Sequence, residues 1–569
     1  MKKALFITAI AALTAVSGKA QSLHVCNKNG TTIEIPIKEY NEVRFDAKQR
    51  YIKFTDFIND YWYSHYFATA EIDSIVPRKP LTGTPLETDV TPEVTIGSDT
   101  PSFDEVTETI ITDETIDEAG DFIENYTPEK RVTITFSETG VSVTPGIVSG
   151  IKFAKKGDTH LTIDATVGKV QYIVKGKCSD GSLKIYSTKK FQMMLGGLDL
   201  TNCNGPAINI QTGKTIYFTL GAGTTNSLCD GVEYDEAPTT GGKVEDQKGT
   251  LFSEGQIIFN GTGTLNITSL GGHGICSDDY IRIRSGKINI LSAVKDGFHT
   301  NDIFRVGRTS AQRPEISVSC AGDAIDCGKG NVLIEAGTLT LSSAGEAIKV
   351  SNEDADSTVS ASATIRGGLI KIYTSEAKSS AIKCEGNYTQ SGGVVIAQTE
   401  GDGSKIINCD GSMTLSGGHL TGIATGNIHA ADTTSAAGIK CAGTLGVNGG
   451  TMAIKCTGEG AKAINCDSNV TIEGGSITLM AEGENYYDDT DNKKARAITC
   501  TDLTVNGGTL IASSDKDIAI SADNLTLNGG TVKALSPNNA SSLNSDIYIN
   551  GGWLMLKCFT PDYPDTPAR

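Results

Sequence analysis

The sequence is short of aromatic residues and of positive charge. Aromatics make up only 6% of its 569 residues, too few for a large mixed core, whereas 64 glycines favour many turns and narrow packing. The formal net charge is −18. Such a surface repels nucleic acid and anionic lipid, and an acidic polysaccharide would need a bridging cation to approach it. After the first 20 residues no segment reaches the roughly 18 apolar residues that span a bilayer. Among the 14 cysteines no C-x-x-C pair with a partner occurs, which argues against a zinc site built on thiolates. Helical periodicity is missing as well. What is present is a long series of short alternating segments punctuated by glycine.

The first 20 residues, MKKALFITAIAALTAVSGKA, combine a basic start, an apolar run and a small-residue cleavage site. They read as a secretory signal peptide, so the protein is expected to be exported: secreted, periplasmic or on the cell surface. Residues 21–77 follow as a small β module with alternating TTIEIPI and YIKFTDF and a dense aromatic cluster at Tyr61, Trp62, Tyr63, Tyr66 and Phe67. That cluster reads as a mini-core before it reads as a sugar platform. Residues 78–130 carry spaced prolines and an acidic, apolar-poor stretch, the composition of a linker. Residues 131–569 form the main domain.

Repetition organises that domain. Gly-Gly pairs begin at Gly367, Gly392, Gly417, Gly449, Gly474, Gly507, Gly529 and Gly551, a period in the low to middle twenties with two longer intervals. Aliphatic residues recur two and four positions beyond the second glycine, and an Ala-Ile-x-Cys segment recurs at Cys384, Cys466 and Cys500. Three short strands per repeat predict an all-β fold, a right-handed parallel β-helix solenoid; a propeller would need roughly 40–50 residues per blade. In this register most cysteines stack in inward columns, where side-by-side geometry suits buried thiols better than disulfides. Two insertions, 426–436 and 483–495, fall at one corner, and the second brings Tyr486 and Tyr487 beside Asp488, Asp489 and Asp491.

The stretch 271–354 carries the candidate site. Asp296, Asp323 and Glu346 precede equivalent strands and should share one column, with repeats about 4.8 Å apart. Asp278, Asp279, Asn301 and Asp302 form a second set at the other end of the same strand. Carboxylates this close repel unless protonated, salt-bridged or holding a cation. Calcium, which takes six to eight oxygens, suits both sets; turn carboxylates held by Lys295, Lys329 and backbone amides are the alternative. Between the sets runs Cys276, His299, Asp326, Lys349. This column lacks the paired geometry and oxyanion site that nucleophilic catalysis requires.

The segments HGICSDDYIRIRSG, KDGFHTND, GDAIDC and SLKIYSTKKFQMMLGGLDLTNCNGPAINI resemble the secreted, lyase-like β-helix family of carbohydrate-binding proteins, over about residues 125–555. The resemblance implies a pectate-lyase-like parallel β-helix that binds plant-type or acidic polysaccharide, polygalacturonate or cellulose, with calcium and without established turnover. Carried over by position, the implied metal ligands are Asp278, Asp279, Asp296, Asn301, Asp302, Asp323 and Glu346. Phe298 and Cys327 depart from the family's usual fillers. Tyr280, Tyr373, Tyr388, Tyr486, Tyr487 and Trp553 are candidates for stacking neutral sugars. A calcium-dependent polysaccharide lyase with Lys295 or Lys349 as base, and a structural adhesin or surface scaffold, are the competing expectations.

Overall fold

The structure is a computed structural model and describes residues 22–36, 42–45, 51–58, 61–78, 122–240, 242–308, 313–353, 360–488, 491–536 and 543–558. The expected signal peptide, residues 1–20, and most of the expected linker lie outside these. The described chain is all-β, with a single short 3-10 turn at Ile123–Asn125 and no α-helix. None of its helices is long and apolar enough to cross a membrane.

The chain divides into two compact units, 96–425 and 1–95 with 426–569. In the first, from Gly249–Ser253 onward, each strand pairs in parallel with the third strand along, whereas Lys130–Ser137 pairs antiparallel with Gly140–Thr144 and His160–Ala165 with Ile151–Lys156. One ladder runs Gly249–Ser253, His273–Ser277, Phe298–Thr300, Ile325–Cys327, Ile348–Val350, Ser380–Cys384 and Lys405–Cys409. A second runs from Ile257–Gly261 to Met413–Leu415, and a third from Thr264–Ser269 to His419–Ala424. The alternation that predicted strands sets their faces: in Thr338–Ser343 and Leu369–Thr374 every second side chain is buried and its neighbours are not. The filling is aliphatic with a few rings, among them Phe298, edge-to-face on Phe304 at 5.2 Å. Residues 122–126, placed in the linker by composition, cover part of this unit. Tyr126 packs with Tyr217 and Ile258, and Arg284 reaches Glu124 at 2.7 Å.

In the other unit the same parallel register joins Ala437–Cys441, Lys462–Cys466 and Arg496–Thr499. The N-terminal segment forms a three-stranded antiparallel sheet, Thr32–Pro36, Ser22–Asn27 and Ile72–Arg78. It also forms an antiparallel series Glu42–Phe45, Tyr51–Ile58 and Tyr61–Ala68. Tyr61–Ala68 then pairs antiparallel with Trp553–Cys558, the last described strand. The aromatic cluster is a mini-core: Tyr63, Tyr66 and Phe67 are buried. All 14 cysteines are free, and Cys384 over Cys409 and Cys441 over Cys466 stand side by side in register.

Candidate functional site

The ladder through His273–Ser277, Phe298–Thr300, Ile325–Cys327 and Ile348–Val350 aligns what lies just before each strand. The amide of Asp323 donates to Asp296 Oδ1 at 2.9 Å, and the amide of Glu346 donates to Asp323 Oδ1 at 2.8 Å. Asp296, Asp323 and Glu346 therefore climb one column, each side chain of the lower two receiving the amide of the acid above. The column extends one repeat further down than the acidic spacing suggested. His273 stands two residues before Ile275, as Asp296 stands two before Phe298, and its Nδ1 lies 3.0 Å from Asp296 Oδ2. That offset, read one repeat upstream, would have found His273 in the sequence.

Beside this column runs Cys276, His299, Asp326, Lys349 and Lys383, in register across successive strands. His299 Nδ1 lies 3.0 Å from Asp326 Oδ2 and 3.5 Å from Asp296 Oδ2. Lys349 Nζ sits 3.2 Å from Asp326 and 3.5 Å from Asp323, and Lys383 Nζ 3.2 Å from Glu346. The acids of this column thus pair with His299, Lys349 and Lys383, with His273 Nδ1 set against Asp296, and not with Lys295 or Lys329.

Burial and charge settle their protonation. Burial would raise the Asp296 carboxyl, but the imidazoles of His273 and His299 overcome it and hold it well below its ordinary range. Burial would lower His299, yet Asp296 and Asp326 pull it up to about 9. Asp323 is pushed up to about 7, first by burial and then by the carboxylates of Glu346 and Asp296. Lys349 is raised above its ordinary value by Asp326 and Asp323 despite burial, so it stays an ammonium and cannot act as a neutral base. Cys276 is wholly buried and its thiol is raised by burial, which removes it from any nucleophilic role.

The second acidic set also stacks: the Asp302 amide donates to the Asp279 carbonyl at 3.2 Å. Asp278 is held by Lys248 at 2.6 Å. Asp279 accepts from Gln256 at 2.9 Å, and burial, then the Asp302 carboxylate, raise its carboxyl. Asn301 adds an amide oxygen one residue before the exposed Asp302.

The aromatic candidates separate by packing. Tyr388 is fully buried, so it cannot stack on a sugar. Trp553 packs on the N-terminal core with its ring stacked on His65 at 6.0 Å, and Tyr280 packs against the Tyr126 cluster. Both are core contacts. Tyr373 is exposed, its hydroxyl donating to Glu400 at 2.7 Å. Tyr486 donates to Asp488 at 2.6 Å, and the exposed Tyr487 carries the Lys494 ammonium over its ring at 4.3 Å. The two insertions meet where Thr433 donates to Asp491 at 2.8 Å.

Near that corner stands Lys462, lowered to about 8 by burial and then by the like charges of Arg496 and Lys493. Its sign is opposite to a salt-bridged lysine's. The folded state prefers the neutral amine, so the charge penalty is fully present below about pH 8 and disappears as pH rises towards the ordinary lysine value. Lys462→Met is therefore expected to raise stability at pH 7 by about 1–2 kcal/mol, discounted for partial exposure, and to abolish the rise in stability between pH 8 and 10. Urea midpoints at the two pH values measure both.

Comparison with known proteins adds the family. A family model described as carbohydrate-binding domain-containing protein matches residues 157–485 and 422–540. No curated protein matches the chain. Among solved structures, the polysaccharide lyase-like protein from C. thermocellum, as a gadolinium derivative, is similar at 19% identity and a TM-score of 0.36, covering 50% of this chain and 96% of that one. The chain belongs to the family of carbohydrate-binding domain-containing proteins.

Proposed function

We propose that this protein is an exported, non-catalytic, calcium-dependent binder of acidic polysaccharide of the polygalacturonate type, carried on a right-handed parallel β-helix. The β-helix reading is supported by ladders in which each strand joins the third one along, and the hand follows the general rule for parallel crossovers. Calcium is assigned by donor chemistry. Asp279, Asn301 and Asp302 present oxygens only, which suits a hard cation, whereas the column at Asp296 presents two imidazoles.

The observation that carries the reading is the stacking of Asp279 beside Asp302, where burial and the neighbouring carboxylate raise the Asp279 carboxyl. A divalent ion relieves that repulsion and leaves coordination positions for a uronate carboxylate. The protonated state of Lys349 supports binding without β-elimination.

Retention of the mature protein on polygalacturonate and on cellulose, with calcium and with chelator, tests this. Calcium-dependent retention on polygalacturonate is expected, weakened at least tenfold in Asp279→Ala/Asp302→Ala with the thermal midpoint little changed. Ultraviolet absorbance of unsaturated products would instead identify a lyase. Retention indifferent to chelator would indicate a neutral glycan, and no retention on either polymer a scaffold.

A further inference from the structure

Two imidazoles and one carboxylate converge at the foot of the acidic column. One ring nitrogen of His273, one of His299 and a carboxylate oxygen of Asp296 lie within 4.8 Å of one another. The two rings stack, centroids 4.6 Å apart and planes 26° from parallel, so both Nδ1 atoms face the same oxygen. The parallel ladder imposes this, because His273 and Asp296 hold equivalent places on successive repeats and His299 lies three residues beyond Asp296.

A further observation points to a cation between them. The amide of Asp296 donates to His273 Nδ1 at 3.3 Å, while the same nitrogen lies 3.0 Å from Asp296 Oδ2. One nitrogen cannot accept the amide hydrogen and also donate to the carboxylate, so only one of the two contacts is a hydrogen bond, and an ion held by that nitrogen and the carboxylate would satisfy both. The three ligand side chains are 14%, 15% and 19% exposed, so an ion could enter from solvent.

We propose that His273, Asp296 and His299 form a binding site for a borderline divalent transition ion of the zinc class, distinct from the oxygen-only site proposed for calcium. Imidazole nitrogen suits zinc, copper, nickel and iron, whereas calcium takes oxygen. Three protein ligands leave a position open for water or for a hydroxyl or carboxylate oxygen of a glycan. Asp326 Oδ2 lies 3.0 Å from that same His299 nitrogen, so an ion bound there would replace this contact.

The probe is cobalt(II), and then zinc(II), added to chelator-stripped full-length mature protein carrying Cys203→Ser to remove its exposed thiol. One equivalent is expected to bind with weak visible bands and no near-ultraviolet thiolate charge-transfer band. Calcium in hundredfold excess should not displace it. His273→Gln and Asp296→Asn, the latter keeping an acceptor for the Asp323 amide, are each expected to weaken binding at least a hundredfold. Because a variant could misfold, the parent supplies a second readout: of its 7 histidines, two should shift or broaden on cobalt addition. A thiolate band, no uptake, undiminished binding in both variants, or histidine signals that do not move would each overturn the assignment. Loss of calcium-dependent glycan retention with cobalt binding intact would fail only the calcium reading.

Discussion

Deleting residues 22–78 is expected to turn the protein into a self-associating one. Tyr61–Ala68 pairs with Trp553–Cys558 over six residues, from Trp62 against Cys558 to Phe67 against Trp553. The covered strand carries Leu554, Met555 and Leu556, all fully buried. Glu71 adds a hydrogen bond from the Gly552 amide at 2.9 Å. Without the module, a row of unpaired amides and carbonyls and an apolar repeat face water together. Open edges of that kind recruit further strands, and stacked-repeat proteins need polar terminal caps to stay soluble. Size-exclusion chromatography with light scattering should show dimers or larger species for the truncated chain under conditions where the mature one is monodisperse. A truncated chain that stays monomeric with an unchanged thermal midpoint would mean the module is no cap. The milder variant Tyr66→Ala removes a fully buried ring set edge-to-face on Tyr51 at 5.5 Å. It should cost about 3–5 kcal/mol of the module's stability.

The second large effect concerns a Gly-Gly pair. Gly508 has φ +73°, and a methyl group added there would stand 2.5 Å from the carbonyl oxygen of Gly475, its counterpart one repeat below. Gly508→Ala combines the left-handed backbone cost of about 1–2 kcal/mol with about 1–3 kcal/mol of displaced backbone, roughly 2–5 kcal/mol in all. Gly446 is the control. It lies inside the strand Leu445–Val447, and a methyl group there would meet nothing within 4 Å. Gly446→Ala is expected to be neutral or slightly stabilising. Equal losses at the two positions would show that the glycines matter through chain flexibility rather than close approach.

These glycines also show why so much of the fold was legible. A turn that must pass within van der Waals contact of the turn below admits no side chain, so the requirement repeats wherever the chain repeats. Inward positions carry the same constraint, since each strand lies directly over its equivalent. The columns of Cys384 over Cys409 and Cys441 over Cys466 therefore follow from the repeat alone. The stacking of Asp296, Asp323 and Glu346 followed from the same offset. Their partners did not. Counter-charges came from Lys349 and Lys383, which point out from neighbouring strands, and the nearby Lys295 and Lys329 gave no hint of this.

Local chemistry was a poor guide where packing reached across long separations. Trp553 read as a candidate for stacking sugars; what partly covers it is a module almost five hundred residues earlier. Tyr388 misled in the same way, standing in a polar stretch while its ring fills the interior.

Period, strand pattern and the vertical alignment of acids were determined by the sequence alone, because a repeat places like residues at like offsets and records that in one dimension. Which side chains neutralise which, which rings remain open to a sugar, and that two imidazoles share one carboxylate were decided only in three dimensions. Those outcomes depend on distances between separate columns and between chain ends, and no offset along the chain encodes them.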